Sequence, residues 1–209
     1  FDKYHTKLKD DEKTTLETLK IRVANIERVR AAYEPFAAVC EGVEFTRALV
    51  AEPANVIYPD SLAKAAQSEL VKLGVKVEVL GVPKMKKLGM GALLGVAQGS
   101  VREPRLVIMR WRGPGVAKDV QPIAFLGKGV TFDTGGISIK PARGMEDMKW
   151  DMAGAGAVIG LMKALALRKA RTDVIGIVGL VENMPSGTAQ RPGDVVKTCS
   201  GQTVEVLNT

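Results

Sequence analysis

The sequence predicts an α/β fold with a mixed, mainly parallel sheet that is covered by helices on both faces, giving three layers. Two observations support this class. Segments with helical periodicity alternate along the chain with short runs that are apolar at nearly every position, as strands buried on both faces require. The chain also has 209 residues, of which 46% are hydrophobic and 25% charged, so it can form a sizeable core.

The first third of the chain predicts a connector, two helices and a strand. Residues 1–33 are charged, and we expect them to be a connector or the tail of a preceding domain, so that the main domain covers 34–209. Apolar side chains recur with a period near 3.6 from Glu34 to Ala51, which predicts a helix ending before Pro53. The next two elements are a helix at 62–73, capped by Asp60 or Ser61, and a strand at 75–79.

The remaining two thirds predict further alternation of the same kind. In chain order the elements are a weaker helix at 85–97, strands at 105–111 and 122–127, a helix at 151–170, and strands at 173–181 and 203–207. The pattern contains no internal repeat.

Composition narrows the functional classes. The formal net charge is +7, but the basic residues are dispersed, so we expect no nucleic-acid partner. Apolar runs are shorter than the roughly 18 residues of a spanning helix, and the first residues are too charged for a signal peptide. We therefore expect a cytoplasmic protein with no membrane partner. Cys40 and Cys199 lie far apart, and we expect two reduced, buried thiols.

One glycine-rich segment, residues 127–141, follows a predicted strand and concentrates four glycines, two lysines and an aspartate. Ligands of α/β sheets bind at the carboxyl ends of strands, where this segment lies. It fails the phosphate-binding loop pattern, because Pro122 stands where the first glycine belongs. It fails the dinucleotide pattern too, because Phe132 stands where the third glycine belongs.

A metal site is a better hypothesis for this segment. Asp133 follows the strand and Asp151 stands at the predicted start of a helix, and two carboxylates brought together in a poorly solvated site need cations. A lysine beside such cations, here Lys128, can lose its proton and become a ligand. The single histidine, His5, lies in the charged leader and excludes histidine-based zinc sites within this chain. Spacing alone leaves open that these are ordinary turn, cap and surface residues.

Longer motifs carry a resemblance to a known family. The segment 127–141, its continuation from Gly144 to Gly154, and the runs at 52–55, 182–187 and 191–196 resemble the leucyl aminopeptidase family, the cytosol aminopeptidases. The resemblance covers nearly the whole chain. It implies a metallo-exopeptidase, a hydrolase that releases N-terminal residues, preferably leucine, from peptides.

The resemblance also implies roles for five residues. Lys128, Asp133 and Asp151 match metal ligands, with Asp133 shared between two divalent ions (manganese, zinc or magnesium). Asp133 thereby also adjoins the bound substrate. Lys140 matches the catalytic lysine, which binds the scissile carbonyl and stabilises the oxyanion. Met148 matches a side chain of the pocket for the first residue of the substrate.

The family pattern extends beyond this sequence. Members continue after the match to Asn208 and Thr209 with Asp-Ala-Glu-Gly-Arg, whose acidic residues complete the metal site and whose arginine holds a bicarbonate that shuttles a proton. They also carry a separate N-terminal domain and form homohexamers. We therefore expect this chain to be an internal portion, with residues 34–209 forming a catalytic domain incomplete at its C-terminus. Two alternatives stay open: a catalytically incomplete fragment that acts only in binding or assembly, and an accessory role in DNA binding.

Overall fold

The computed structural model describes residues 3–13 and 15–209. Its helices are α1 (Ile26–Ala51), α2 (Pro59–Lys72), α3 (Val82–Lys87), α4 (Gly91–Val96) and α5 (Ala153–Leu167). Its strands are β1 (Lys76–Leu80), β2 (Arg105–Arg112), β3 (Ile123–Asp133), β4 (Asp173–Asn183), β5 (Val195–Lys197) and β6 (Thr203–Glu205). Three 3-10 turns lie at Asp10–Glu12, Ala97–Gly99 and Met145–Trp150.

The main sheet has four strands in the order β1-β2-β4-β3. β3 and β4 pair in parallel, whereas β1–β2 and β2–β4 pair antiparallel. The predicted α/β class with a mixed sheet is therefore confirmed. The expected predominance of parallel pairing does not hold among these strands, because β2 runs opposite to both of its neighbours. The last predicted strand forms as β6, but it pairs with β5 in a separate hairpin.

Helices cover both faces of this sheet, as predicted. Alternate residues of β2 and β4 point to one face and pack with α2 and α5, and α1 packs on α5. The other residues of these strands, including Leu106 and Ile177, pack with α3 and α4. The main core lies on the first face, and its fully buried side chains include Leu62, Leu70, Val107, Met109, Ile159, Met162, Val178 and Leu180.

The helix α1 begins at Ile26 rather than near Glu34, and it passes through the predicted boundary at residue 33. The side chain of Asn25 caps it by accepting a hydrogen bond of 2.9 Å from the backbone N–H of Arg28. Pro35 lies inside this helix.

The two helices α1 and α5 pack unusually closely. A Cβ atom on Gly42 would lie 2.5 Å from the carbonyl oxygen of Gly160, so only glycine fits at this contact. The hydroxyl of Thr46 also donates a hydrogen bond of 3.0 Å to the carbonyl of Gly156. This packing fixes α5 against α1 on the same face of the sheet, and with it the turn that precedes α5.

The segment Met145–Leu167 is long and apolar enough to cross a membrane by length and composition. Of its most apolar window, 56% is buried in this structure. Core helices commonly have this property, and α5 packs between α1 and the sheet.

Both cysteines, Cys40 and Cys199, are free thiols, in agreement with the prediction that they do not pair. The expectation that they are buried was wrong, because both are exposed. Apolar character of a residue type does not by itself decide which face of a helix or hairpin it occupies.

Candidate metal and catalytic site

The candidate site is built on β3, which continues through the glycine-rich segment to Asp133. The strand is therefore longer than the predicted strand at 122–127. The glycines are tolerated because α5 lies against them. A Cβ atom on Gly127 would lie 2.6 Å from the carbonyl oxygen of Gly154 and 2.8 Å from Cα of Ala155. The first turn of α5 therefore packs directly on the backbone of β3.

This close packing brings Lys128 next to Asp151. Asp151 lies in the turn between the 3-10 segment and α5. The Lys128 ammonium donates to both carboxylate oxygens of Asp151, at 2.5 and 2.6 Å. The lysine side chain is 62% exposed and the aspartate side chain 22%. The ion pair is thus open to solvent on the lysine side.

A β-bulge brings Asp133 to the same face of the sheet as Lys128. Lys128 pairs with Gly179 and Val130 with Val181, but Asp133 pairs with Asn183, so β3 holds one residue more than β4 in this interval. Side chains alternate between the two faces of a strand, and one extra residue reverses that alternation. Without the bulge, Asp133 would point to the face opposite Lys128.

The Asp133 carboxylate is held by three donors. Its Oδ1 atom accepts hydrogen bonds from the backbone N–H of Gly135 at 2.9 Å and from the side-chain amide of Asn183 at 2.8 Å. Its Oδ2 atom lies 2.5 Å from the ammonium of Lys140. The Asp133 side chain is 17% exposed and the Lys140 side chain 35%.

Two opposing effects act on the pKa of Asp133. Burial favours the neutral acid, whereas the hydrogen bonds from Lys140, Gly135 and Asn183 favour the carboxylate. The donors outweigh burial, and the pKa of Asp133 is lowered from its ordinary value. The group is therefore an anion at neutral pH, as a metal ligand must be.

The loop after β3 places Lys140 beside Asp133. The backbone N–H of Lys140 donates to the carbonyl of Thr134 at 2.9 Å, which closes this loop. Thr209 packs against the same loop: its hydroxyl donates to the carbonyl of Gly135 at 2.8 Å and accepts from the N–H of Ser138 at 2.9 Å. Thr209 thus contacts Gly135, which follows Asp133 by two residues in the chain.

The structure therefore joins four of the five predicted site residues into two lysine–aspartate pairs on one stretch of β3. Met148 lies in the 3-10 turn, half-buried, and this turn packs against β3. Among residues 3–13 and 15–209, histidine, cysteine, aspartate and glutamate form no group of three or more that could hold a metal ion. The candidate metal ligands of the site are thus two aspartate carboxylates and, as a second type of ligand, a lysine amine.

Asn183 belongs to the site although the sequence analysis gave it no role. It ends β4, next to the carboxyl end of β3, and its motif 182–187 was noted only as part of the resemblance. The available signal was its position: a polar side chain directly after an apolar strand that neighbours the strand carrying Asp133.

Comparison with known proteins agrees with this geometry. The family model described as "Cytosol aminopeptidase family, catalytic domain" matches residues 44–209. The chain is 59% identical over 209 residues to the probable cytosol aminopeptidase of Caulobacter vibrioides, and equally so to that of a Bradyrhizobium species. It is 60% identical over 212 residues to that of Sinorhizobium medicae.

These alignments cover 100% of this chain but only 41 to 42% of the relatives. The chain therefore spans about two fifths of the length of the curated relatives it matches.

Proposed function

Because the chain belongs to the cytosol aminopeptidase family, we propose that the complete protein is a metal-dependent aminopeptidase that releases N-terminal residues, preferably leucine, from peptides. The observation that carries this proposal is the pair of aspartates, each with a lysine, along β3 and at the start of α5. Carboxylates and a neutral lysine amine are groups that can hold divalent cations.

The donor chemistry fits such cations. Carboxylate oxygens bind manganese, magnesium and zinc, and nitrogen ligands also suit zinc. We propose that Asp133, Asp151 and Lys128, the last as its neutral amine, would hold two divalent ions. The Oδ2 atom of Asp133 faces a cation already, the Lys140 ammonium, and so is oriented to meet positive charge.

Three donors do not complete the coordination of two ions, so further ligands are required. We propose that they are the acidic residues of an Asp-Ala-Glu-Gly-Arg continuation after Thr209, in a catalytic domain that extends beyond residues 34–209. The contacts of Thr209 with the loop 135–138 support this, because a continuation would start beside Asp133. Residues 1–33 would then connect to a preceding N-terminal domain.

The residues of this chain would share the work of catalysis. Two bound divalent ions would lower the pKa of a water molecule and neutralise charge that develops in the transition state. Lys140 would bind the scissile carbonyl oxygen and stabilise the oxyanion, since its ammonium is fixed beside the site and partly exposed. The arginine of the continuation would hold a bicarbonate that carries the proton.

Substrate selection would come from two features. The residues that would hold the ions, Lys128, Asp133 and Asp151, would place the free α-amine of the substrate at the site, which would restrict cleavage to the N-terminal residue. Met148 would line the pocket for that residue, and a flexible apolar side chain there favours leucine. The proposed setting is the cytoplasm, in a homohexamer, and the relatives' designation as cytosol aminopeptidases supports the compartment.

Hydrolysis of a leucine anilide by the full-length protein with added manganese tests this proposal. We expect turnover in the wild type and a loss of kcat of about 10²- to 10³-fold in Lys140→Ala, the typical effect of removing one oxyanion donor. Full activity in Lys140→Ala would exclude the assignment of that residue. We expect the purified 209-residue chain to turn over negligibly and to retain metal weakly.

A further inference from the structure

We propose that Asn183 is a positioning residue that fixes the Asp133 carboxylate for metal binding, an inference that rests on the proposed function. Nothing in the family comparison assigns this asparagine a role. The assignment comes from its contacts, its burial and the register of the two strands.

The two carboxylate oxygens of Asp133 have different partners. Oδ1 accepts from the side-chain amide of Asn183 and from the N–H of Gly135, so its two lone pairs are used within the protein. Oδ2 accepts no hydrogen bond from either of these groups and pairs instead with the Lys140 ammonium, 2.5 Å away. Asn183 therefore leaves Oδ2 as the oxygen that faces positive charge, and this is the oxygen that we expect to meet a metal ion.

The orientation of the Asn183 amide is determined by chemistry. A carboxylate only accepts hydrogen bonds, so the NH₂ group of Asn183, and not its oxygen, must face Asp133. The amide oxygen points the other way, towards Gly136, where a Cβ atom would lie only 2.7 Å from it. Gly136 has a φ of +62°, a conformation that favours glycine, and its missing side chain leaves the space that the amide occupies.

Asn183 is itself held in place. It is 8% exposed, and its backbone carbonyl accepts hydrogen bonds from both the N–H and the hydroxyl of Thr134, at 3.0 and 2.8 Å. The bulge in β3 brings Asp133 opposite it in the ladder. Because the backbone of Asn183 is fixed in the sheet, its side-chain amide holds the Asp133 carboxylate in one orientation.

Hydrogen bonds to metal-binding carboxylates set their orientation, and their loss typically weakens metal affinity by about 10- to 100-fold. Without the Asn183 donor, the Asp133 carboxylate can rotate, and Oδ1 can turn towards the cations in place of Oδ2. The effect should fall on metal affinity rather than on folding, because the strand pairing of β3 and β4 does not depend on the amide.

Titration calorimetry of the full-length protein with manganese tests the proposal. The variants are Asn183→Ala and Asn183→Leu, the second of which keeps the approximate shape of the side chain but removes the donor. The matched control is Thr131→Val, which removes a buried hydrogen bond of 3.1 Å to Val181 between the same two strands without touching Asp133. We expect affinity to fall about 10- to 100-fold in both Asn183 variants and to stay within about twofold in the control.

A second route serves if the Asn183 variants do not fold. Gly136→Ala should displace the amide through the 2.7 Å contact, whereas Gly193→Ala has a similar positive φ and no atom within 4 Å of its new Cβ. We expect only the first to weaken manganese binding.

The outcomes separate this inference from the proposed function. Manganese affinity within twofold of wild type in Asn183→Leu, or in Gly136→Ala, would overturn the role of Asn183 alone. If all variants, including Thr131→Val, lost affinity equally, the role of Asn183 would be structural and the inference wrong. A wild-type protein that bound no manganese would overturn the proposed function and this inference together.

Discussion

The contact between Gly127 and α5 makes a quantitative prediction about how the fold supports the site. In Gly127→Ala, the new Cβ would lie 2.6 Å from the Gly154 carbonyl oxygen and 2.8 Å from Cα of Ala155. Ordinary van der Waals contacts are about 3.5 Å or longer, so β3 and the start of α5 must separate by roughly 1 Å. Both neighbours are backbone atoms, which cannot turn aside as a flexible side chain can.

Two effects should follow from that separation. Overpacking of this kind typically destabilises a protein by about 1–3 kcal/mol. The shift also moves Asp151 away from Lys128, whose ammonium now lies 2.5 Å from it, and so separates two of the proposed metal ligands. We therefore expect Gly127→Ala to lower the melting temperature and to weaken manganese binding at the same time.

Differential scanning calorimetry of the full-length protein, with EDTA and then with manganese, measures both effects. The melting temperature in EDTA reports stability, and the increase on adding manganese reports affinity. Gly187→Ala is the control, because nothing lies within 4 Å of a Cβ atom there and its φ is not positive. Unchanged melting temperature and unchanged metal response in Gly127→Ala would show that the close packing does not position the site.

Two further predictions concern ionic contacts outside the site, in the full-length protein. The Lys163 side chain is 11% exposed, and its ammonium lies 2.9 Å from Glu69 and 3.3 Å from Glu41. Lys163→Ala should therefore lower the free energy of unfolding by about 1–3 kcal/mol. In urea unfolding, Lys163→Met should lower the free energy of unfolding by less, because methionine keeps the packing and both glutamates can be hydrated. Equal decreases in the two variants would contradict this. Hydrogen bonds from Arg110 lower the pKa of Asp173, so its stabilising effect exists above its unfolded pKa of about 3.9 and disappears as pH falls through the folded pKa. The difference in melting temperature between wild type and Asp173→Asn should be constant near neutral pH and vanish in acid, and a difference that grew in acid would refute the assignment.

Periodicity and composition were sufficient to predict the class of the fold and most of its elements. The strands at 105–111 and 173–181 and the helix at 151–170 were expected because their apolar patterns are local and uninterrupted. The start of α1 was missed because residues 26–33 form a helix whose apolar side chains, such as Val29 and Tyr33, are largely exposed. Apolar side chains in such a segment do not line a buried face, so their spacing does not indicate where the helix begins.

The antiparallel direction of β2 could not be predicted, because strand direction depends on which strand it joins in space. Pairing partners are tertiary information, and the helices α3 and α4 between β1 and β2 suggested a parallel crossover. The same limit applies to β6, whose apolar run predicted a strand but not its separate hairpin with β5.

In the candidate site too, some residues were predicted from the sequence and others depend on contacts between strands. Spacing and family resemblance predicted Lys128, Asp133 and Asp151, and the resemblance alone predicted Lys140. The structure brings these four residues together in two pairs. The bulge that turns Asp133 to the face of Lys128 has no sequence signature, since it depends on the register with β4. Asn183 was missed for the same reason: its partner lies 50 residues away in sequence and is its neighbour only across the ladder.

The most direct test of the central claim is anomalous diffraction from crystals of the full-length protein soaked in manganese. We expect two anomalous peaks within coordination distance of the Asp133 carboxylate, one of them also contacting Lys128 and Asp151. Peaks that lie elsewhere, or a single peak that does not contact Asp133, would contradict a two-metal site built on β3.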